Sequence, residues 1–332
     1  MISWLLTTDH PNRGTMTIKL GMVMDPIETV KTYKDSSFAM LLAAQARGWE
    51  LNYMEMQDLY VRDGVAFGRM KTLSVVDQET GFYTFHESYD RPLADLDVII
   101  QRKDPPFDME YVYSTYMLEL AEKQGTLIVN KPQSLRDSNE KMFTAVFPQT
   151  SPPTLITRNA DQIKAFLEEH EDIIIKPLDM MGGSSIFRIT AGSPNVNVII
   201  ETLTDRGVTY TMVQRYIHDV VDTGDKRILL IDGKPNGYAL ARMPTKGETR
   251  ANMAAGGKGV AVEMTERDHW LAAQIGPTLK EKGLIFVGID VIGDYVTEIN
   301  VTSPTGIREV DEQKGTDIAG LLMDAIEEKV RK

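Results

Sequence analysis

Asp290, Glu298 and Asn300 are the side chains whose types and spacing first suggest chemistry: two carboxylates and a carboxamide in one short stretch. They lie in VGIDVIGDYVTEINVTSPTG, Val287 to Gly306, which reads as two β-branched strands joined at Gly293-Asp294. Glu298 and Asn300 are alternate residues of the second strand, so both side chains leave the same face. Such a hard-oxygen pair suits Mg²⁺ while the ion also holds phosphates. Asp290 can add a third oxygen only if the hairpin is irregular. A two-residue turn pairs Asp290 with Thr297, on the face opposite Glu298, so a β-bulge is expected. A carboxylate near a hairpin is more often a solvated surface group. These strands, however, are strongly apolar (Ile285, Phe286, Val287, Ile289, Val291 and Ile292; Val296, Ile299 and Val301). Carboxylates on a buried sheet need a cation or another partner. The Ser303-Pro304-Thr305-Gly306 turn adds hydroxyls and backbone N–H groups beside the same spot.

A second chemical signature is Lys176-Pro177-Leu178-Asp179-Met180-Met181-Gly182-Gly183-Ser184-Ser185. A lysine ending a buried strand, followed by a glycine-rich loop, offers an ammonium and several backbone N–H groups to one anion. The lysine precedes the glycines and the order is strand–loop–strand, which is not the nucleotide-binding P-loop. A plain hairpin with a lysine at its edge is the competing reading. Lys141 is a second lysine near a loop, and Arg102, Arg227, Arg242, Arg250 and Arg308 stand on separate elements. A metal with lysines is the minimum apparatus for phosphoryl transfer, where positioning and charge neutralisation carry the catalysis. Arginines at strand ends suit carboxylates, although taken singly each more often makes a surface salt bridge. Nucleotide plus carboxylate suggests activation of the carboxylate by phosphorylation. The five histidines have no ligand spacing and receive no role.

Length and composition bound the rest. A chain of 332 residues, 42 % hydrophobic and 25 % charged, suggests two or three globular units. Its net charge of −12 argues against non-specific nucleic-acid binding. The absence of cysteine removes disulfides, thiolate metal sites and cysteine nucleophiles, and suits a reducing compartment. No apolar run is long enough to span a membrane, and the opening MISWLLTTDHPNRGT lacks the basic start and apolar length of a signal peptide. A cytoplasmic protein with no membrane or nucleic-acid partner is expected.

The elements that must position these residues follow in order. Ile18–Met24 is a strand, Asp35 caps a helix closed by Gly48, and Leu51–Met56 completes a βαβ unit. Residues 62–92 read as short hairpin strands. The strand Asp97–Gln101 runs into Arg102-Lys103-Asp104-Pro105-Pro106, at the end where open α/β sheets bind ligands. A helix and the strand Thr126–Asn130 follow, then an expected helix over Asn139–Phe147 and a Pro-rich link at 148–153. Further on come strands at 154–157 and 173–176, helices at 161–170 and 197–204, and strands at 210–217, 226–231 and 238–242. The loop TKGETRANMAAGGKG, 245–259, has the composition of a lid. A helix capped by Thr265 and Asp268, interrupted at Pro277, leads to the hairpin, and a C-terminal helix starts at Ile318.

In this order the stretches MDPI, DSSFAMLLAAQARG, RKDPPFD, GTLIVNKPQSLRDSNEK, IIKPLDMMGGSSIFR, GDKRILLIDG, ETRANMAAGGKG, GPTLKEKGLIFVGIDVIGD and TEINVTSPTGIRE resemble the bacterial glutathione synthetases of the ATP-grasp superfamily. The resemblance covers nearly the whole chain from Met16. It implies an α/β (α+β) fold: an N-terminal doubly wound pre-ATP-grasp domain followed by a two-part ATP-grasp fold. It also implies an N-terminal extension over 1–15, expected to be disordered. The pre-ATP-grasp domain would span 16–138, the lid subdomain 139–217, and the C-terminal subdomain 218–332 with the mobile loop 245–259. The implied reaction joins γ-L-glutamyl-L-cysteine to glycine with ATP, through an acyl phosphate on the cysteinyl carboxylate. Lys141, Lys176, Gly182 and Gly183 resemble the phosphate-binding residues. Gln214, Arg215, Tyr216 and Ile217 fall where a strand meets adenine, largely through backbone groups, with Asp225 facing the ribose. Asp290, Glu298 and Asn300 resemble ligands of Mg²⁺ or Mn²⁺. Arg102, Arg227, Arg242 and Arg250 would hold substrate carboxylates and the developing oxyanion, the last three in catalytic roles, while Ser303 and Thr305 bind near glycine. A homotetramer is implied as well.

One residue departs from the family pattern. Glycine is expected at position 180, where Met180 stands; if that position needs φ > 0, methionine strains the phosphate loop. Two rivals share the motifs. Another ATP-grasp carboxylate–amine ligase, D-alanine–D-alanine-like or glutamate-adding, keeps the metal site and changes the substrate. A non-catalytic nucleotide-binding protein predicts loss of Glu298, Asn300 or Arg250, and all three are present.

Overall fold

A computed structural model describes residues 17–243 and 258–331. The expected N-terminal extension over 1–15, and the expected lid residues 245–257 with Arg250, lie outside them. The first unit contains β1 (Lys19–Val23), α1 (Ser36–Ala46), β2 (Glu50–Met54), β3 (Leu59–Arg62), β4 (Val65–Val75), β5 (Tyr83–Pro92), β6 (Val98–Gln101), α2 (Met109–Glu122), β7 (Leu127–Val129) and α3 (Pro132–Asp137). β2, β1, β6 and β7 are parallel neighbours, as buried Val/Ile/Leu runs with helical crossovers require. Asp35 caps α1 by accepting from the Phe38 N–H at 2.7 Å. β1 is flanked by β2 and β6, which makes the carboxyl ends of β1 and β6 the topological switch point. Asp25 and Arg102–Asp104 emerge there.

Residues 62–92 form two long antiparallel strands rather than short ones. In β4 the buried positions run Ala66, Gly68, Met70 and then Leu73, Val75, because its first half packs into one core and its second half into another. The two sets lie on opposite faces, so no single period of two spans the strand.

In place of the expected helix over 139–147 there is only a short 3₁₀ turn, Met142–Val146, and a short helix, α3, precedes it. Pro132, at the first turn of α3, has a φ suited to starting a helix and no N–H to leave unpaired. The Asn139 side chain then accepts from the N–H groups of Lys141 and Met142, and Pro148 prevents extension of the turn. The second sheet comprises β8 (Thr154–Thr157), β9 (Asp172–Pro177), β10 (Phe187–Thr190) and β11 (Thr211–Arg215), antiparallel in the order β10-β9-β11-β8. α4 (Ala160–His170) and α5 (Val196–Leu203) pack on it through Ile163, Leu167 and Ile200.

The third sheet follows α6 (Val220–Thr223). β12 (Asp225–Ile231), β13 (Lys234–Met243), β14 (Lys258–Glu263), β15 (Phe286–Ile292) and β16 (Tyr295–Asn300) lie in the order β14-β13-β12-β15-β16. β14 therefore takes up positions 258 and 259, expected at the end of the lid loop. α7 (Glu266–Glu281) starts at the expected Thr265–Asp268 capping box but runs through Pro277 without interruption. Leu271, Ile275 and Leu279 are buried on either side of the proline, and this packing holds the helix together. α8 (Ile307–Lys314), absent from the sequence reading, is a polar helix bounded by Gly306 and Gly315, both at positive φ. α9 (Ile318–Val330) closes the chain, and its Ile318, Leu322 and Ile326 share one core with β1, α1 and β6.

The first and third sheets are joined rigidly. Asn130 donates to the carbonyls of Phe286 and Val301 at 2.7 and 2.8 Å and accepts from the Phe286 N–H at 2.9 Å. At the far end of the third sheet, a Cβ on Gly276 would stand 2.2 Å from the Gly233 carbonyl oxygen, backbone against backbone. Gly276→Ala should therefore lower stability by about 1–3 kcal/mol; a urea titration with an unchanged midpoint would refute that.

Candidate active site

Strand register builds the centre of the site. β12 places Arg227 directly opposite Asp290 of β15, and Asp225 directly opposite Arg242 of β13. Arg227 donates to both Asp290 oxygens, Nη2 to Oδ2 at 2.9 Å, and Arg242 reaches Oδ2 at 2.9 Å. Arg242 also donates to both oxygens of Asp225 at 2.6 and 2.7 Å. Burial alone would push the Asp290 carboxyl up, but Arg227 and Arg242 outweigh it and hold the group well below the usual carboxylate range. Gly288 makes room for this cluster: a Cβ there would stand 2.7 Å from Arg227 Cδ and 2.9 Å from Pro304 Cβ.

The expected bulge is present. Asp290 pairs with Glu298, and after a register shift Val291 pairs with Val296, leaving Thr297 as the extra residue. Asp290 and Glu298 thus stand opposite each other on one face, with Asn300 two residues on. The bulge also presents a carbonyl, because Lys176 Nζ donates to Thr297 O at 3.1 Å. Lys176 is buried, and desolvation lowers its pKa to about 8, partly opposed by Glu298. Lys141 Nζ lies 2.9 Å from Glu298 Oε1 and donates to the Met180 carbonyl. The two lysines therefore converge on the Glu298 end of the hairpin from separate elements.

The glycine-rich loop lies over this point. Gly182 and Gly183 take φ of 65° and 74°, and Ser185 takes 57°. Met180 is not among the positive-φ residues, so the strain expected at that position is absent. The loop makes its left-handed turn later, at residues that tolerate it. Met180 and Met181 are half exposed along the opening.

Lys141, Lys176, Gly182, Gly183, Gln214, Arg215, Tyr216, Ile217, Asp225, Arg227, Arg242, Asp290, Glu298, Asn300, Ser303 and Thr305 all line one cavity of about 330 Å³ between the second and third sheets. The Gln214 side chain donates to Thr154 Oγ1 at 3.1 Å, and the N–H groups of Arg215 and Tyr216 go to Pro153 and Asp172 carbonyls. Ile217 is then the first backbone donor beyond the ladder, as an edge contact to a planar base would need. Asp225, expected to face a ribose, has both oxygens engaged by Arg242. Ser303 Oγ donates to Asp104 Oδ1 at 2.5 Å, which brings the switch point of the first sheet to the cavity wall. Arg102 is the residue the fold does not bring to that wall. It is buried beneath, with Nε donating to Ser37 Oγ at 3.0 Å and Nη1 without a partner. Glu140 and Asp104 line the cavity too; Asp104 belongs to the Arg102–Pro106 stretch expected at the ligand end of the first sheet, whereas sequence reasoning missed Glu140. The one signal for Glu140 was its place beside Lys141.

Asp290, Glu298 and Asn300 are oxygen donors of the kind a hard divalent ion takes. Both Asp290 oxygens, however, accept from Arg227 or Arg242 and Glu298 Oε1 pairs with Lys141, so these ion pairs would have to open for an ion to bind all three. The set holds two carboxylates and a carboxamide whose Nδ2 donates to Gly288 O at 3.3 Å, which assigns Oδ1 as the ligand atom. Among the described residues no group of three or more His, Cys, Asp or Glu is arranged to hold a metal.

Two antiparallel sheets closing on a cavity lined with lysines and carboxylates, behind a doubly wound first unit, make up the ATP-grasp fold. The same fold appears in D-cycloserine synthetase DcsG, with a TM-score of 0.67 at 14 % identity, covering 94 % of this chain and 99 % of that one. It also appears in D-alanyl-alanine synthetase A of Vibrio cholerae, with a TM-score of 0.57 at 13 % identity, covering 95 % and 99 %. Family models for the N-terminal and ATP-grasp domains of prokaryotic glutathione synthetase match residues 18–136 and 140–315. The glutathione synthetase of Pseudomonas putida is 61 % identical over 316 residues, and that of Escherichia coli K12 is 60 % identical over 314; each alignment covers 95 % of this chain and 99 % of the relative. The chain belongs to the prokaryotic glutathione synthetase family. No helix of the described residues is long and apolar enough to cross a membrane.

Two outcomes follow from the geometry. A polyanion bound beside Lys176 returns its pKa from about 8 towards the ordinary lysine value, so nucleotide binding takes up a proton above that pH and not well below it. Calorimetry in two buffers of different ionisation enthalpy should show this uptake at alkaline pH, and Lys176→Met should abolish it; buffer-independent heats would contradict the assignment. Gly288→Ala should displace Arg227 and lower kcat at least about tenfold with the fold retained by circular dichroism. Wild-type turnover in that variant would show that Arg227 needs no such placement.

Proposed function

We propose that the protein ligates γ-L-glutamyl-L-cysteine to glycine with ATP, releasing ADP, phosphate and glutathione. Family membership and identity near 60 % along almost the whole chain support this activity. The observation that carries the mechanism is the single cavity in which two convergent lysines, a hard-oxygen set and the Ser303–Thr305 segment meet between two sheets. In the domain scheme, residues 16–138 form the substrate-side domain, 139–217 the lid subdomain, and 218–332 the subdomain with the metal ligands. ATP lies between the sheets, its base against Gln214–Ile217 and its phosphates on Lys141, Lys176 and the Gly182-Gly183 backbone. The ribose lies towards Asp225. Asp290, Glu298 and Asn300 hold Mg²⁺ or Mn²⁺. The bound ion supplies charge neutralisation at the phosphates.

The cysteinyl carboxylate attacks the γ-phosphorus, the bond from that phosphorus to the β-bridging oxygen breaks, and ADP leaves. Lys141 and Lys176 stabilise the charge spread over the transferring oxygens. The free amine of glycine, near Ser303 and Thr305, then attacks the acyl carbon. The carbon–oxygen bond to phosphate breaks as the tetrahedral intermediate collapses, and the proton lost by the amine leaves with the phosphate. Arg227 and Arg242, on the wall of the same cavity, stabilise the oxyanion, a role that requires Asp290 to share them. Arg250 is assigned to the same work. Arg102, buried beneath the cavity wall, makes no direct contact with substrate in this scheme. The protein works in the cytoplasm as a homotetramer.

ADP release should require Mg²⁺-ATP, γ-glutamylcysteine and glycine together. Release with D-alanine pairs or glutamate in place of these substrates would move the assignment to another carboxylate–amine ligase, and nucleotide binding with no release under any combination would refute ligation.

A further inference from the structure

Three consecutive residues on the link after α3 hold three different parts of the cavity. Asn139 donates Nδ2 to the Leu178 carbonyl at 3.1 Å, at the start of the glycine-rich loop, while its Oδ1 organises the turn that carries Lys141. Lys141 bridges the Met180 carbonyl and Glu298. Glu140, between them, holds the end of β16. Its Oε1 accepts from Val301 N at 2.9 Å, Thr302 N at 3.1 Å and Thr302 Oγ1 at 2.8 Å, and its backbone carbonyl accepts from Ile299 N at 2.8 Å.

β16 is an edge strand, so its outward N–H groups have no ladder partner. Val301 and Thr302 lie past its end, and one carboxylate oxygen takes the place of the missing strand for both. The residues so held flank Asn300 on one side and Ser303 on the other. A carboxylate is costly at this position: burial, then Glu298, push its pKa up, against the three donors of Val301 and Thr302. None of the roles assigned above uses Glu140.

We propose that Glu140 is a positioning residue for the amine substrate, fixing the Val301–Ser303 backbone, while its neighbours Asn139 and Lys141 act on the nucleotide. The proposal rests on the assignment of Ser303 and Thr305 to glycine. A three-residue segment thus ties the phosphate loop to the acceptor segment, and each side chain serves one end.

Steady-state kinetics of Glu140→Ala, Glu140→Gln, Thr302→Val and Asn139→Ser, with KM measured separately for glycine and ATP, test this. Glu140→Ala should raise the KM for glycine about tenfold or more and that for ATP less than about threefold. Glu140→Gln keeps an oxygen acceptor for both N–H groups and should recover most of the loss, as a generally destabilised site would not. Thr302→Val removes one donor and should move the glycine KM the same way by about threefold. Asn139→Ser should raise the KM for ATP and leave that for glycine. If Glu140→Ala fails to fold, Thr302→Val and Glu140→Gln carry the decision. Equal shifts for both substrates, no shift for glycine, or a Gln variant as impaired as the Ala variant would overturn the proposal. A wild-type chain that uses a different amine overturns the functional reading alone, and the same variants are then compared with that amine.

Discussion

The carboxylate of Asp290 is buried between two arginines, and the rest of the site is arranged around the need to keep it charged. Removing one member of such a cluster strands the others, at a cost of about 3–5 kcal/mol. Four charged side chains, Asp225, Arg227, Arg242 and Asp290, are carried by three adjacent strands in a register that sets each arginine opposite its aspartate. The cluster carries no net charge, so it can sit in a sheet core without drawing in solvent. It also fixes two guanidinium groups on the cavity wall.

A single irregularity links that cluster to the phosphate side. The bulge at Thr297 moves Glu298 onto the face of Asp290 and at the same time gives up a carbonyl to Lys176, on the neighbouring sheet. Regular pairing would have put Glu298 on the opposite face and closed the carbonyl into the ladder. The two sheets therefore meet at the bulge, and the lysines, carboxylates and glycine-rich loop meet there with them. Attachment on the other side is just as specific: Asn130 ties β7 to β15 and to the end of β16 through three hydrogen bonds. The switch point of the first sheet thereby reaches the cavity at Asp104 and Ser303.

Much of the cavity lining was legible in the sequence. The pairing rule of strands demanded a bulge if Asp290 and Glu298 were to cooperate, and glycine runs and lone lysines at strand ends are local signals. Apolar runs with clear caps, as at Asp35 and Thr265, located their helices for the same reason. The misreadings share another cause. β4 hid its length because its two halves bury opposite faces in two different cores, and α8 is too polar for a periodic stripe. Pro277 appeared as a break because the packing of Leu271, Ile275 and Leu279 cannot be read from neighbours in sequence. Met180 was suspected of strain, but the backbone places its left-handed turn at Gly182, Gly183 and Ser185 instead.

The sequence by itself determined the chemical inventory and its local order: which residues can hold a metal, a phosphate or a carboxylate, and on which face of which strand they stand. Spacing of two and the identity of turn residues act over a few ångströms, so they are written locally. Only the tertiary structure decided which arginine serves which aspartate, that Arg102 lies beneath the cavity wall, and that Glu140 replaces a missing strand at the end of β16. Those contacts join residues as many as 162 positions apart. Their energies depend on burial and register, which exist only once the sheets have paired.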